Sequence, residues 1–309
     1  MEHGGHHHPH AHPHEGGTGR AASDTIRTAF FLNLFFTCFE IGGGFYTNSL
    51  AIFSNAVHDM GDTFGIGLSW YMARMAGRER TGAYSYGYGR FSLLAALANG
   101  ALLTFGCVII LAHAVPRILH PEPSNVSGML LFAVVGVLVN GAAVLRLKEG
   151  RTMNERVVMW HLIEDVLGWL TVLVAGAVML VKEMPVIDPL LAAVITLYVL
   201  WNALKNLRRT GILFLQGVPE SVSLPALEER IGSLEGICGL HDLHVWSMDG
   251  SYHVVSLHVM TQTPLTAAEV AELKGRIRAV TRESGIEHAT IEVETTGAEC
   301  CPPSPRGMR

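Results

Sequence analysis

Long stretches nearly free of charge constrain this chain more than any other feature. Charge is scarce from Thr28 to Ala73, Phe91 to Val115, Val126 to Leu145, Val157 to Val181 and Val186 to Leu204. The first range is too long for one membrane crossing and is interrupted by Gly42-Gly43-Gly44 and Asn48-Ser49, so it divides in two and six apolar helices result. Each supplies about 20 residues, which at ~1.5 Å rise per residue crosses ~30 Å of hydrocarbon. Composition agrees, since only 16% of the 309 residues are charged where a soluble domain carries roughly a quarter. A soluble bundle of six such helices would have almost no solvated face, which argues against that class.

Basic residues set the orientation. Arg20 and Arg27 precede the first span, Arg74, Arg78, Arg80 and Arg90 populate the second loop, and Arg146, Lys148, Arg151 and Arg156 the fourth. Lys205, Arg208 and Arg209 follow the sixth span, whereas the alternate loops hold little positive charge. By the positive-inside rule both termini are expected in the cytoplasm of a multi-pass inner-membrane or plasma-membrane protein. No segment resembles a cleaved signal peptide, because polar histidine-rich sequence precedes the first helix. The cysteines Cys38, Cys107, Cys238, Cys300 and Cys301 are odd in number and two fall in expected spans, so no disulfide framework is expected.

Ionisable residues inside such spans are costly unless paired, and here they repeat. His58 and Asp62 stand four residues apart in the second span, and His161 and Asp165 repeat the spacing in the fifth. On a helix each pair shares a face, while Asp59 and Glu164 point about 100° away and need not join the cluster. Two imidazole nitrogens and two carboxylate oxygens form a tetrahedral shell suited to Zn²⁺, and imidazole also accepts Co²⁺, Cd²⁺ and Ni²⁺. Hydrogen bonds between packed helices are the simpler reading, but an identical pair on two apolar helices favours a metal. Binding requires neutral histidine and ionised carboxylate, so metal and protons exclude one another and metal–proton antiport is the expected cycle. Glu40 is a candidate for proton movement or pairing within the bundle. Asn99 and Asn140 are read as helix-bridging amides, and His113 and His120 as weak candidates near the outer end.

Outside the spans, residues 1–25 form a tail with histidines among Gly and Pro, expected to be disordered and weakly metal-collecting. Residues 26–210 are expected to be the six-helix all-α transmembrane transport bundle, 211–298 a cytoplasmic α+β domain, and 299–309 a flexible tail carrying a Cys pair. In the third of these segments, Leu224 to Ile231 and Ala267 to Thr281 have helical spacing. Leu240 to Ser247, Ser251 to Met260 and Ala289 to Thr295 read as strands, with Asp249-Gly250 as a hairpin signal. The order α-β-β-α-β fits a small ferredoxin-like sheet with helices on one face, serving regulation or dimerisation.

These residues resemble the cation diffusion facilitator family of the zinc-transporter type. The likeness rests on Ser49 to Asp62, Tyr86 to Arg90 with Ala95 to Asn99, His161 to Gly168, Asp188-Pro189, Gly217-Val218-Pro219 and His241 to Ser247. It implies a homodimeric zinc–proton antiporter exporting metal from the cytoplasm, with the two His/Asp pairs as transport site. It also implies a cytoplasmic metal site at His241, His258, His288, Glu292 and Glu294, for which strand periodicity adds that Glu292 and Glu294 share a face. His244 and His253 are read as structural or surface groups. Cys300 and Cys301 are soft thiolates able to complete a shell across a dimer. One departure is the loop after the second span, where some bacterial relatives carry acidic and histidine ligands and this chain has Thr81, Tyr84 and Tyr88. Two rival readings are a membrane metal sensor that binds zinc without moving it, and a membrane zinc hydrolase. The second lacks an HExxH sequence, so an enzyme is not expected. No nucleic-acid partner is expected either.

Overall fold

A computed structural model describes residues 18–76, 81–147 and 153–295. Six long helices come first: α1 (Thr18–Thr47), α2 (Leu50–Ala76), α3 (Arg90–Leu119), α4 (Val126–Leu147), α5 (Met153–Lys182) and α6 (Ile187–Phe214). Helix α1 begins inside the expected tail, so residues 18–25 are helical, and α6 runs past the boundary expected at residue 211. Residues 1–17 of the tail lie outside the described residues. Among the described residues, α3, α4, α5 and α6 are long and apolar enough to cross a membrane by hydropathy alone. Helix α2 falls short of that measure because Ser54, Asn55, His58, Asp59, Asp62 and Thr63 dilute its apolar content.

The glycine triplet does not break the first stretch. Helix α1 continues through it, and the chain turns at Asn48, whose φ is +52°. The glycines serve packing instead: a Cβ on Gly43 would stand 2.5 Å from the Phe132 ring and one on Gly44 3.0 Å from Phe53. Helix α2 then starts with its free N–H groups capped from another helix. Asp188 of α6 accepts from the Leu50 N–H at 2.8 Å, the Ala51 N–H at 3.2 Å and the Ser49 hydroxyl. A second tie, Ser54 Oγ to Thr196 Oγ1 at 2.8 Å, joins the same two helices further along.

Helix α2 is the centre of the bundle, packing on α1, α3 and α6 and touching α5, while α3 pairs with α6 and α4 with α5. Leu50, Ile52, Ile110, Met129, Trp169 and Val172 form the apolar core. Trp169 is wholly buried over Gly136, where an added Cβ would meet its ring at 2.3 Å. Large apolar side chains such as Phe35, Leu131, Val181 and Trp201 are exposed on the outside, as a lipid-facing surface requires.

The C-terminal part contains α7 (Leu224–Gly232), β1 (Gly239–Ser247), β2 (His253–Thr261), α8 (Ala267–Glu283) and β3 (His288–Thr295). Strand β2 is central, antiparallel to β1 and parallel to β3, with α8 carrying the crossover. Val255, Leu257 and Val259 alternate on the face of β2 that packs with Leu227 and Ile231 of α7 and Leu273 and Ile277 of α8. Ser256, His258 and Met260 are left half-buried on the other face. A capping box opens α8: Thr266 Oγ1 accepts from the Glu269 N–H, and the Thr266 N–H donates to Glu269 Oε2 at 2.7 Å. The second strand starts at His253 rather than Ser251, because Asp249 Oδ1 draws the Ser251 and Tyr252 N–H groups into the turn at 2.8 and 2.7 Å. This hairpin meets the membrane part: a Cβ on Gly89, just before α3, would stand 3.5 Å from Asp249 Cβ. The α2–α3 connection and the C-terminal domain therefore lie on one side of the bundle.

Candidate metal centres

Helix α2 sets His58 and Asp62 one turn apart, with Nε2 and Oδ2 separated by 3.6 Å and the side chains 31% and 30% exposed. Asp165 of α5 is buried. His161 lies one turn earlier on α5, its side chain outside the described residues. Gly168, three residues after Asp165 and so on much the same face, permits close approach of α5 to α2, since a Cβ there would meet Asn55 Oδ1 at 2.9 Å. Glu164 is exposed, as its offset predicts.

Asp59 does more than its sequence offset indicates. It does leave the His58–Asp62 face, but it turns into the bundle, where it is 3% exposed beside the wholly buried Glu40. Asp165 interacts electrostatically with both. Glu40 Oε1 accepts from Asn55 Nδ2 at 3.0 Å. The interior thus holds three carboxyl groups behind the His58–Asp62 pair: Asp165, expected as a ligand, Glu40, expected to move protons or pair within the bundle, and Asp59, which its offset had left out. Three buried acids on helices α1, α2 and α5 call for protons or a cation. The other candidates fall elsewhere. Asn140 donates to Gly136 O of its own helix at 3.2 Å rather than bridging, and His113 and His120 are exposed.

A second gathering lies on the C-terminal sheet. Cross-strand register puts His241 opposite His258 and His258 opposite Glu292, one residue from each strand in a row. Glu294, two positions further along β3, bridges the histidines: Oε2 is 3.1 Å from His241 Nε2 and Oε1 is 2.7 Å from His258 Nδ1. Among the described residues, three metal-type donors come within 4.8 Å of one another only as His241–Asp242–His258 and His258–Glu292–Glu294. Partial desolvation opposes charge on His241, but hydrogen bonds with Glu294 and Asp242 outweigh it and raise its pKa above 6.5. Hydrogen bonds from His258 and His241 hold Glu294 below 4.5. Nitrogen and carboxylate oxygen in this mixture fit a borderline divalent ion such as Zn²⁺.

His288 is not part of this group. It heads β3 opposite Val254, exposed and four residues before Glu292, which is ~13 Å along a strand. Asp242 takes a place that the sequence reading did not assign. A bulge between His241 and His244, with Asp242 at φ +50°, turns its carboxylate to 3.3 Å from His241 Nδ1. His253 is buried and bonded to Ser247 Oγ at 3.0 Å and Ser221 Oγ at 3.1 Å, whereas His244 is exposed. The loop before α3 holds an aromatic cluster of Tyr84, Tyr88 and Phe91. Cys300 and Cys301 lie outside the described residues.

Residues 26–213 match the family model described as the cation efflux transmembrane domain, and residues 219–296 that of the cation efflux protein cytoplasmic domain. The chain is 30% identical to the metal cation efflux system protein CzcD of Cupriavidus metallidurans over 94% of its own length and 91% of that protein. It is 28% identical to a cadmium, cobalt and zinc/H(+)-K(+) antiporter of Bacillus velezensis, covering 93% and 92% of the two chains. It is also 28% identical to the zinc transporter ZitB of Pectobacterium atrosepticum, covering 93% and 88%.

Proposed function

The chain belongs to the cation efflux family of membrane transporters, and from that premise we propose that it is a zinc–proton antiporter exporting Zn²⁺ from the cytoplasm. The ion is held during transport by His58 and Asp62 of α2 with His161 and Asp165 of α5. The observation that carries this reading is the His58–Asp62 pair at 3.6 Å on the central helix, with buried Asp165 on the helix that Gly168 brings against it. Two nitrogens and two oxygens favour zinc over the harder ions, and the same set would take Cd²⁺, Co²⁺ or Ni²⁺. Relatives named for cadmium, cobalt and zinc support that range.

Coupling follows from the ligands. The ion displaces protons on binding, and the vacated histidines and carboxylates take protons back when it leaves. Asp59 and Glu40, buried behind the site, extend the set of groups able to hold those protons. Both termini lie in the cytoplasm, the C-terminal domain pairs two copies of the chain, and its His241–His258–Glu294 cluster, with Asp242 and Glu292, binds a regulatory ion.

Proteoliposomes with an imposed pH gradient test the proposal. Zinc movement should follow the gradient and be lost in Asp62→Ala and in Asp165→Ala. Zinc binding without flux, in a correctly inserted preparation, would leave a membrane metal sensor as the function.

A further inference from the structure

A recess of about 270 Å³ lies between α2 and α3, lined by Gly65, Leu68, Met72, Ser92, Ala95, Ala96 and Asn99. We propose that this recess is a staging site for the hydrated cation on its way to the transport pair, with Asn99 as the side chain that holds its water shell. The inference rests on the transport reading above and adds the route by which the ion reaches the pair.

At about 100° per residue, Gly65 and Met72 fall on the same stripe of α2 as His58 and Asp62, one and three turns beyond the pair. The recess therefore continues the His58–Asp62 face toward the α2–α3 connection, the end that meets Asp249 of the C-terminal domain. His58 and Asp62 are about one-third exposed, so the pair itself is not sealed by packing.

A divalent ion with about six waters at ~30 Å³ each needs roughly 200 Å³, which the recess provides. Three small residues, Gly65, Ala95 and Ala96, keep it from closing. Its lining carries no formal charge, so it cannot strip the ion or trap it. Asn99 supplies a carboxamide at the wall: its Nδ2 stands 3.3 Å from where a Gly65 Cβ would be, and its Oδ1 is buried with no hydrogen-bond partner. A half-turn of the amide exchanges the two atoms and presents the oxygen to the water shell of a cation, which satisfies an acceptor otherwise left orphaned. A weak neutral site ahead of a strong charged one keeps the ion hydrated until the charged ligands replace its waters.

The test uses the full-length chain. In a background with Cys38, Cys107, Cys238, Cys300 and Cys301 replaced by serine, Ala95→Cys should react with a small charged thiol reagent, and Zn²⁺ should slow that reaction. In the native background, Asn99→Leu should raise the KM for zinc flux about fivefold, the scale of one lost water-mediated contact. Its kcat and the equilibrium zinc affinity of the transport site, read by calorimetry, should stay unchanged. Ala95→Leu should show the same split more strongly. Zinc-insensitive labelling of Ala95→Cys, or a wild-type KM in Asn99→Leu, overturns the staging site. Absence of flux in the wild-type chain overturns the transport reading instead, and the labelling result then still decides whether the recess holds zinc.

Discussion

Gly168 of α5 and Asn55 of α2 approach so closely that a Cβ on the glycine would stand 2.9 Å from the asparagine Oδ1. Asn55 cannot easily yield, since its amide donates to the buried Glu40 at 3.0 Å. One missing side chain thus sets the spacing between the two helices that carry the proposed transport ligands.

Gly168→Ala should force those helices apart and lower zinc flux about tenfold, because ~1 Å of misplacement is costly to a positioned site. Gly42→Ala, a glycine with nothing within 4 Å, should leave the flux at the wild-type level. Flux assays on both variants, normalised to inserted protein, check this.

Replacing both transport histidines, His58→Asp with His161→Asp, removes the nitrogen ligands and leaves an all-oxygen set. Selectivity should move toward harder ions such as Mn²⁺ and away from zinc. Competition binding across a metal series reads the outcome, and an unchanged order would count against the proposed ligands.

The C-terminal cluster should respond to pH in a defined direction. His241 has its pKa raised above 6.5, so its stabilising contribution is complete below 6.5 and is lost as pH rises through the higher folded value. Glu294 is lowered from 4.5, so its contribution is present above 4.5 and is lost as pH falls through the lower folded value. Without metal, the cluster should therefore stabilise the sheet most between those two ordinary values and weaken as pH rises through the raised His241 value. Zinc reverses the trend, because neutral imidazole is the form that binds it. Hydrogen exchange of β2 amides in the full chain, with and without zinc at pH 6 and 8, measures both effects.

Asp188→Ala should destabilise the bundle. It leaves the buried Leu50 and Ala51 N–H groups without their acceptor, at about 1–3 kcal/mol for each orphaned donor. Asp188→Asn keeps one acceptor oxygen and should recover part of the loss. Thermal unfolding of the detergent-solubilised protein compares the two.

Much of this was legible along the chain because the determinants are local. Hydropathy over about 20 residues marks a helix that must satisfy its backbone within lipid, and a four-residue interval places His58 with Asp62 whatever surrounds them. Alternation in β2 and the capping box of α8 work at the same short range. What the tertiary structure decided depends on neighbours distant in sequence. Whether Asp59 faces lipid or the bundle follows from which helices pack on α2, and they put Glu40 and Asp165 beside it. Strand pairing removed His288 from the C-terminal cluster and set Glu294 between two histidines, and a bulge brought in Asp242. The glycine triplet of α1 looked like a break until Phe132 and Phe53 filled the space above it. Periodicity tells which residues share a face; only packing and register tell what that face meets.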